Sequence, residues 1–241
     1  MKIKSLTAVL LLLSCQLAVA GHTNPFADIL VLYDFNQLCE NWDSNTPSYT
    51  SPCVCATDLS LNCLNQGLHD GGVDGSKFRC FEGWDCAYDY TFCRSDLSQA
   101  VNTLAYDVFV RQDVIASISG LCLDWSRPAA SSADSIQASI FWEDCAGTVQ
   151  YRTTGAVALD CLNSWNHLDL DFTSGSAELP VGEKTSGKQF HIELYAWGQS
   201  GDALFLDNIA LKGGCAPIPE PGAALLIASA GILLLLRRRG W

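Results

Sequence analysis

Between Asn166 and Phe172 the chain alternates strictly: Leu168, Leu170 and Phe172 fall on one side, His167, Asp169 and Asp171 on the other. A period of two is the mark of a strand with one buried and one wet face. The same period recurs elsewhere. Val101–Val110 groups Leu104, Tyr106, Val108 and Val110; Ser135–Trp142 groups Ile136, Ala138, Ile140 and Trp142; Gln189–Trp197 groups Phe190, Ile192, Leu194 and Ala196. Apolar runs at Ile29–Phe35 and Ala203–Leu211, with a shorter one at Thr148–Arg152, complete the set. Turn-forming clusters at Thr173–Ser176, Gly182–Gly187 and Gly198–Asp202 separate them. No helical period is sustained away from the two ends. Short strands spaced in this way predict an all-β fold, an antiparallel β-sandwich of jelly-roll type, with its first and last strands side by side.

The ends differ. Lys2 and Lys4 precede an apolar core at Leu6–Leu13, and Ala18-Val19-Ala20 supplies an A-x-A cleavage site before Gly21. Residues 1–20 therefore read as a secretory leader, helical in its core. A lipoprotein leader modified at Cys15 is the rival reading. At the other end, Ala223–Leu236 is uncharged and made of apolar or small residues. A helix of that length, at ~1.5 Å per residue, is shorter than the ~30 Å hydrocarbon layer. Snorkelling arginines extend it, so residues 222–236 are expected to form a transmembrane helix with the C-terminus cytoplasmic. This leaves 21–216 as one exported domain and 217–241 as a tail, with Gly213–Pro217 as a hinge.

Within the domain, residues 43–96 carry many cysteines and few strand-length patterns. They are expected to be a long, disulfide-stapled loop region inserted after the first strand. The chain has 12 cysteines. Beyond Cys15 these are Cys39, Cys53, Cys55, Cys63, Cys80, Cys86, Cys93, Cys122, Cys145, Cys161 and Cys215. In an exported protein they are disulfide candidates, and their odd number leaves one free or joined to another chain. Cys53, Cys55 and Cys63 lack the paired C-x₂-C spacing of structural zinc sites.

The formal net charge is −12. Lys2, Lys4, Arg237, Arg238 and Arg239 sit at the ends, so the domain between is more acidic still. Such a surface repels phosphates and excludes nucleic acid as a partner. No G-x-S-x-G elbow or H-E-x-x-H occurs, and the chain is expected not to be an enzyme. Asp169 and Asp171 on one strand face read either as a glycosidase pair or as an ordinary solvent face. His167 and His191 fall on the polar faces of their strands. His69-Asp70-Gly71-Gly72-Val73-Asp74-Gly75 reads as a glycine turn or a calcium loop. A structural calcium ion is a second expectation at the sandwich edge, held by Asp34, Asn36 and Asp207; the alternative is that Asp207 bonds a loop amide. Trp84 and Trp197 lie beside turns and are candidate ligand-binding aromatics, since ring faces stack on sugar C–H surfaces. Trp42, Tyr88 and Tyr90 are further loop aromatics, while Trp142 and Trp165 are expected in the core.

Pro219-Glu220-Pro221, the apolar run and Arg237-Arg238-Arg239, in that order, resemble the PEP-CTERM sorting signal of Gram-negative bacteria. The resemblance covers only the last residues, 217–241. It implies an exosortase partner, a multi-pass membrane protease with a cysteine nucleophile that cleaves near Pro-Glu-Pro. It also implies a protein tethered at the inner membrane, then delivered to the cell surface or matrix of bacteria that make extracellular polysaccharide. Leu32-Tyr33-Asp34-Phe35-Asn36 with Cys39 and Trp42, and Phe205-Leu206-Asp207-Asn208-Ile209 followed by Cys215, are similar to the edges of MAM-type and carbohydrate-binding jelly rolls. In the latter, acids at both edges hold calcium, and Asn36 stands where those families usually show Glu. The function expected is a non-enzymatic surface protein, glycan-binding or matrix-associated, with polysaccharide as partner. A purely structural or adhesive protein and a glycoside hydrolase are the alternatives.

Overall fold

A computed structural model describes residues 28–36, 45–62, 64–84, 102–198 and 203–218. The leader with its Ala18/Ala20/Gly21 site, the tail from Pro219 to Arg239, and Cys39, Trp42, Cys63, Cys86, Tyr88, Tyr90 and Cys93 lie outside the described residues. Among the described residues no helix is long and apolar enough to cross a membrane.

Two antiparallel sheets face each other. One contains β1 (Ile29–Tyr33), β2 (Tyr49–Thr50), β5 (Asn65–Asp70), β6 (Lys77–Glu82), β8 (Val114–Ser126), β12 (Asn166–Asp171) and β15 (Leu204–Pro217). Its path runs β12-β8-β15-β1-β2, with β6 also on β15 and β5 on β6. The second contains β3 (Val54–Ala56), β4 (Ser60–Asn62), β7 (Thr103–Val110), β9 (Ala133–Glu143), β10 (Val149–Thr153), β11 (Val157–Ala158), β13 (Ser174–Gly175) and β14 (Gln189–Gly198). Its path runs β13-β10-β9-β14-β7-β3. The chain changes sheet between β7 and β8, β8 and β9, and β14 and β15. Such crossing is what sets a jelly roll apart from a plain meander.

The alternation dictates the core. Leu104, Val108, Ile136, Ala138, Ile140, Phe190, Ile192 and Ala196 from the second sheet pack against Leu121, Leu123, Leu206, Ile209 and Leu211 from the first. Each fully buried aliphatic or Phe side chain contributes about 1.5–3 kcal/mol. The first and last strands are neighbours, Tyr33 opposite Ile209 and Val31 opposite Leu211.

Three expectations are corrected. Residues 45–84 are not a loop region. They supply five short strands, β2 to β6, distributed over both sheets. Gly213–Pro217 is not a hinge, because it continues β15 along β8, with Cys215 opposite Ala116 and Pro217 opposite Val114. Gly213 marks a register shift at φ 159°, where an added Cβ would stand 2.0 Å from the Ser117 carbonyl oxygen. Only glycine lets the strands approach there. Finally, the cysteines form no dense staple among the described residues. Cys53 pairs with Cys215 across 162 positions. Cys55, Cys145 and Cys161 are exposed thiols, Cys122 is half-buried and Cys80 is buried.

Candidate functional site

The outer face of the first sheet has an aromatic end and a charged end. At the aromatic end, β5 pairs β6 so that His69 stands opposite Phe78, and β15 pairs β8 so that Phe205 stands opposite Ser126. The His69 and Phe78 rings stack at 5.4 Å, and Phe78 meets Phe205 at 4.7 Å. Trp165, just before β12, packs its ring edge-on to Phe78 at 5.2 Å and 70°. Its Nε1–H donates to the Gly71 carbonyl at 3.1 Å, which fixes the ring across the sheet. Phe78, Phe205 and Trp165 wall a cavity of about 300 Å³, also lined by Asp70, Ser126 and Asn163. Trp165 therefore belongs to a cavity wall rather than to the core, whereas Trp142 is buried as expected.

Buried Arg127 holds the cavity rim. Its guanidinium donates to the carbonyls of Leu159, Ala130 and Ser132, and its own carbonyl accepts from Asn163 N at 2.8 Å. Asn163 takes φ 55°, the left-handed conformation that Asn tolerates best after Gly. Two loops are thus stitched to one side chain. Asp70, on the opposite rim, is held at 2.7 Å by Lys77, whose hydrogen bond and charge keep its carboxyl below the usual range.

The sandwich edges meet on the turn at residues 72–77, but not as an ion cage. Asp207 is fully buried. Its Oδ2 accepts from Ser76 Oγ at 2.7 Å and Val73 N at 3.2 Å, and its Oδ1 from Asn208 N at 2.8 Å. Asn36 Oδ1 accepts from Lys77 N, and Asp34 Oδ1 from Asn36 N. Asp34 Oδ1, Asn36 Oδ1 and both Asp207 oxygens are each engaged by an N–H or O–H donor, so hydrogen bonds join the edges in this arrangement. An added Cβ at Gly72 would lie 2.7 Å from Asp207 Oδ2, so glycine is needed for the carboxylate to enter the turn. Burial pushes Asp207 up to about 6, against the lowering effect of the three donors. Because its folded value lies above its unfolded one, this group makes folding less favourable as pH rises between 3.8 and about 6. Asp207→Ala is expected to cost about 2–3 kcal/mol by stranding those donors, and Asp207→Asn less, with a flatter pH profile in that window. Urea unfolding at pH 4 and 6.5 checks both.

The outer face of the second sheet was expected to be wet, but along β14 it is dry at His191 and Glu193. His191 is 6% exposed and Glu193 0%. His191 Nδ1 lies 2.7 Å from Asp107 Oδ1, and Nε2 lies 3.0 Å from Glu193 Oε1. Farther along β14, Trp197 stacks on Tyr195 at 5.4 Å and 21°. Tyr195 and Phe141 are buried, with Trp197 and Tyr151 packed against them. Trp84 is 3% exposed, gives its Nε1–H to the Phe81 carbonyl and packs on Phe81. It has no face to offer a ligand. Asp169 and Asp171 both approach Lys212 Nζ, at 2.9 and 3.5 Å, so they flank a lysine rather than a cleft.

No protein-family model matches the chain, and no curated protein matches it. Solved structures share its β-sandwich. The CBM22-1–CBM22-2 tandem of Paenibacillus barcinonensis Xyn10C is 13% identical over 81% of this chain and 48% of that one, with a TM-score of 0.45. The chain thus spans about half the length of that tandem. The CBM22-1 xylan-binding domain of the same protein is 12% identical over 78% of this chain and 95% of that one, with a TM-score of 0.42. An exo-beta-agarase is 11% identical over 80% of this chain and 25% of that one, with a TM-score of 0.39. The class that the chain's own strands define is the antiparallel two-sheet sandwich; the two Xyn10C structures are described as carbohydrate-binding domains.

Proposed function

We propose that this chain is a non-catalytic glycan-binding module, and that it takes neutral polysaccharide at the cavity walled by Trp165. The observation that carries the reading is the cavity itself. An indole held at both its edge and its nitrogen forms one wall, and Asp70, Ser126 and Asn163 offer polar atoms beside it. A pyranose needs that combination: an aromatic surface for its C–H face and a few fixed polar groups for its hydroxyls. The ring is ordered before binding, so little freedom is lost on association. The net charge of −12 disfavours anionic polymers. Export through the leader at 1–20 and surface sorting by an exosortase acting on the PEP-CTERM-like tail are part of the same proposal, and they rest on the sequence motifs.

The purified protein is expected to be retarded in affinity gels containing at least one neutral polysaccharide. Trp165→Ala should weaken that binding about tenfold or more, while circular dichroism shows the β-fold retained. A panel of neutral polysaccharides that leaves the wild type unretarded would sink the reading, as would undiminished binding by the variant.

A further inference from the structure

The charged end of the same face carries a group of metal-ligating side chains that the glycan reading does not use. β12 pairs β8 so that Asp169 stands opposite Cys122 and His167 opposite Asp124. Cys122 Sγ, a ring nitrogen of His167 and a carboxylate oxygen of Asp169 all lie within 4.8 Å of one another. We propose that Cys122, His167 and Asp169 form a binding site for a divalent transition ion of the zinc type, with a fourth position open to solvent.

The donor set suits that ion. A thiolate, an imidazole and a carboxylate are its usual protein ligands, and three of them leave one place for water. Ligands of a tetrahedral ion at ~2.0–2.3 Å stand roughly 3.3–3.8 Å apart. Rotation of half-exposed side chains closes the remaining distance, and the His167 side chain is 57% exposed.

The imidazole is aimed in advance. Asp124 Oδ1 lies 2.8 Å from His167 Nδ1, which leaves Nε2 directed at Asp169 Oδ2, 3.9 Å away. Asp124 is itself fixed, because its Oδ2 accepts from Asn208 Nδ2 at 2.8 Å. A carboxylate that holds the far nitrogen of a histidine fixes the ring's orientation and makes the other nitrogen a stronger ligand. Of the two Asp169 oxygens Lys212 holds Oδ1, at 2.9 Å, so the oxygen turned to His167 is the other one. Binding expels the thiol proton as the metal–sulfur bond forms.

The site escapes motif searching because its ligands come from two strands, with His167 and Asp169 alternating on one and Cys122 across the ladder on the other. It is independent of the glycan cavity. The test is titration of the purified, folded protein with Co²⁺ under anaerobic conditions, followed by competition with Zn²⁺. One equivalent of Co²⁺ should give a thiolate-to-cobalt charge-transfer band that Zn²⁺ removes. Cys122→Ser should abolish the band and Cys145→Ser should leave it intact. His167→Ala should remove it or weaken binding strongly, and Asp124→Asn should weaken binding about 10–100-fold. Circular dichroism confirms that each variant is folded. The proposal is overturned if the wild type gives no band, if the band survives in Cys122→Ser, or if the His167→Ala and Asp124→Asn variants bind as tightly as the wild type.

Discussion

His191→Leu is expected to lower folding stability by about 3–5 kcal/mol at neutral pH, the cost of breaking a buried ion pair from one side. His191 has a carboxylate on each ring nitrogen, Asp107 on Nδ1 and Glu193 on Nε2. Two acceptors require two N–H donors, so the ring is an imidazolium. Burial alone would lower its pKa, but the hydrogen bonds and charges of Asp107 and Glu193 outweigh it and push the ring up to about 9. Removing the ring takes away the imidazolium that faces fully buried Glu193. The double variant His191→Leu/Glu193→Leu should recover most of the loss, because an apolar pair of similar volume is often neutral or better. The wild type should also show a pH signature. The folded value, about 9, lies above the unfolded 6.5. The stabilisation is therefore complete below 6.5 and fades as pH rises towards 9, an effect of about 3 kcal/mol. Urea unfolding at pH 6, 7.5 and 9.5 measures it, and a flat profile would contradict a charged His191.

The second large effect is expected at the disulfide. Cys53 immediately precedes β3 in one sheet, and Cys215 lies in β15 of the other. The bond closes a loop over 162 positions. Cross-linking so long a segment removes much of the freedom of the unfolded chain, and Cys215→Ser should cost about 3–5 kcal/mol. Reductant should lower the wild-type melting temperature by a similar margin. A variant that melts with the oxidised wild type would show that the link adds nothing to the fold.

Much of the scaffold was legible in the sequence wherever burial alternates cleanly. β7, β9, β12 and β14 lie within about two residues of their expected bounds, within the usual uncertainty of element ends, with Leu104, Ile140, Leu170 and Ile192 inside. β8 was not legible, although it lies inside its sheet between β12 and β15. Ser117, Ser119 and Gly120 dilute its hydrophobic signal, and burial of Gly120 and Leu121 in succession breaks the period of two. Residues 45–84 hid their strands for a related reason: three of those pieces are only two or three residues long and hold their place by pairing, not by pattern. The cavity was hidden more deeply. Gly71, Phe78, Ser126, Asn163, Trp165 and Phe205 come from distant parts of the chain, and only the register of β5, β6, β8 and β15 brings them together. His191 misled because a polar residue at an outward position normally means water. Here it marks a buried charge pair.

The joint between Cys53 and Cys215 also decides how the domain answers to pulling. Tension transmitted through the chain beyond Pro217 enters β15 just past Cys215. Without the bond, such a pull would peel β15 from β8 one hydrogen bond at a time, from Pro217 back towards Phe205. With it, the load passes through sulfur into the start of β3 and so into the opposite sheet, before the ladder beyond Gly213 is strained. A molecule hauled by that end would load both sheets at once, through β15 and through β3 on β7, instead of β15 alone.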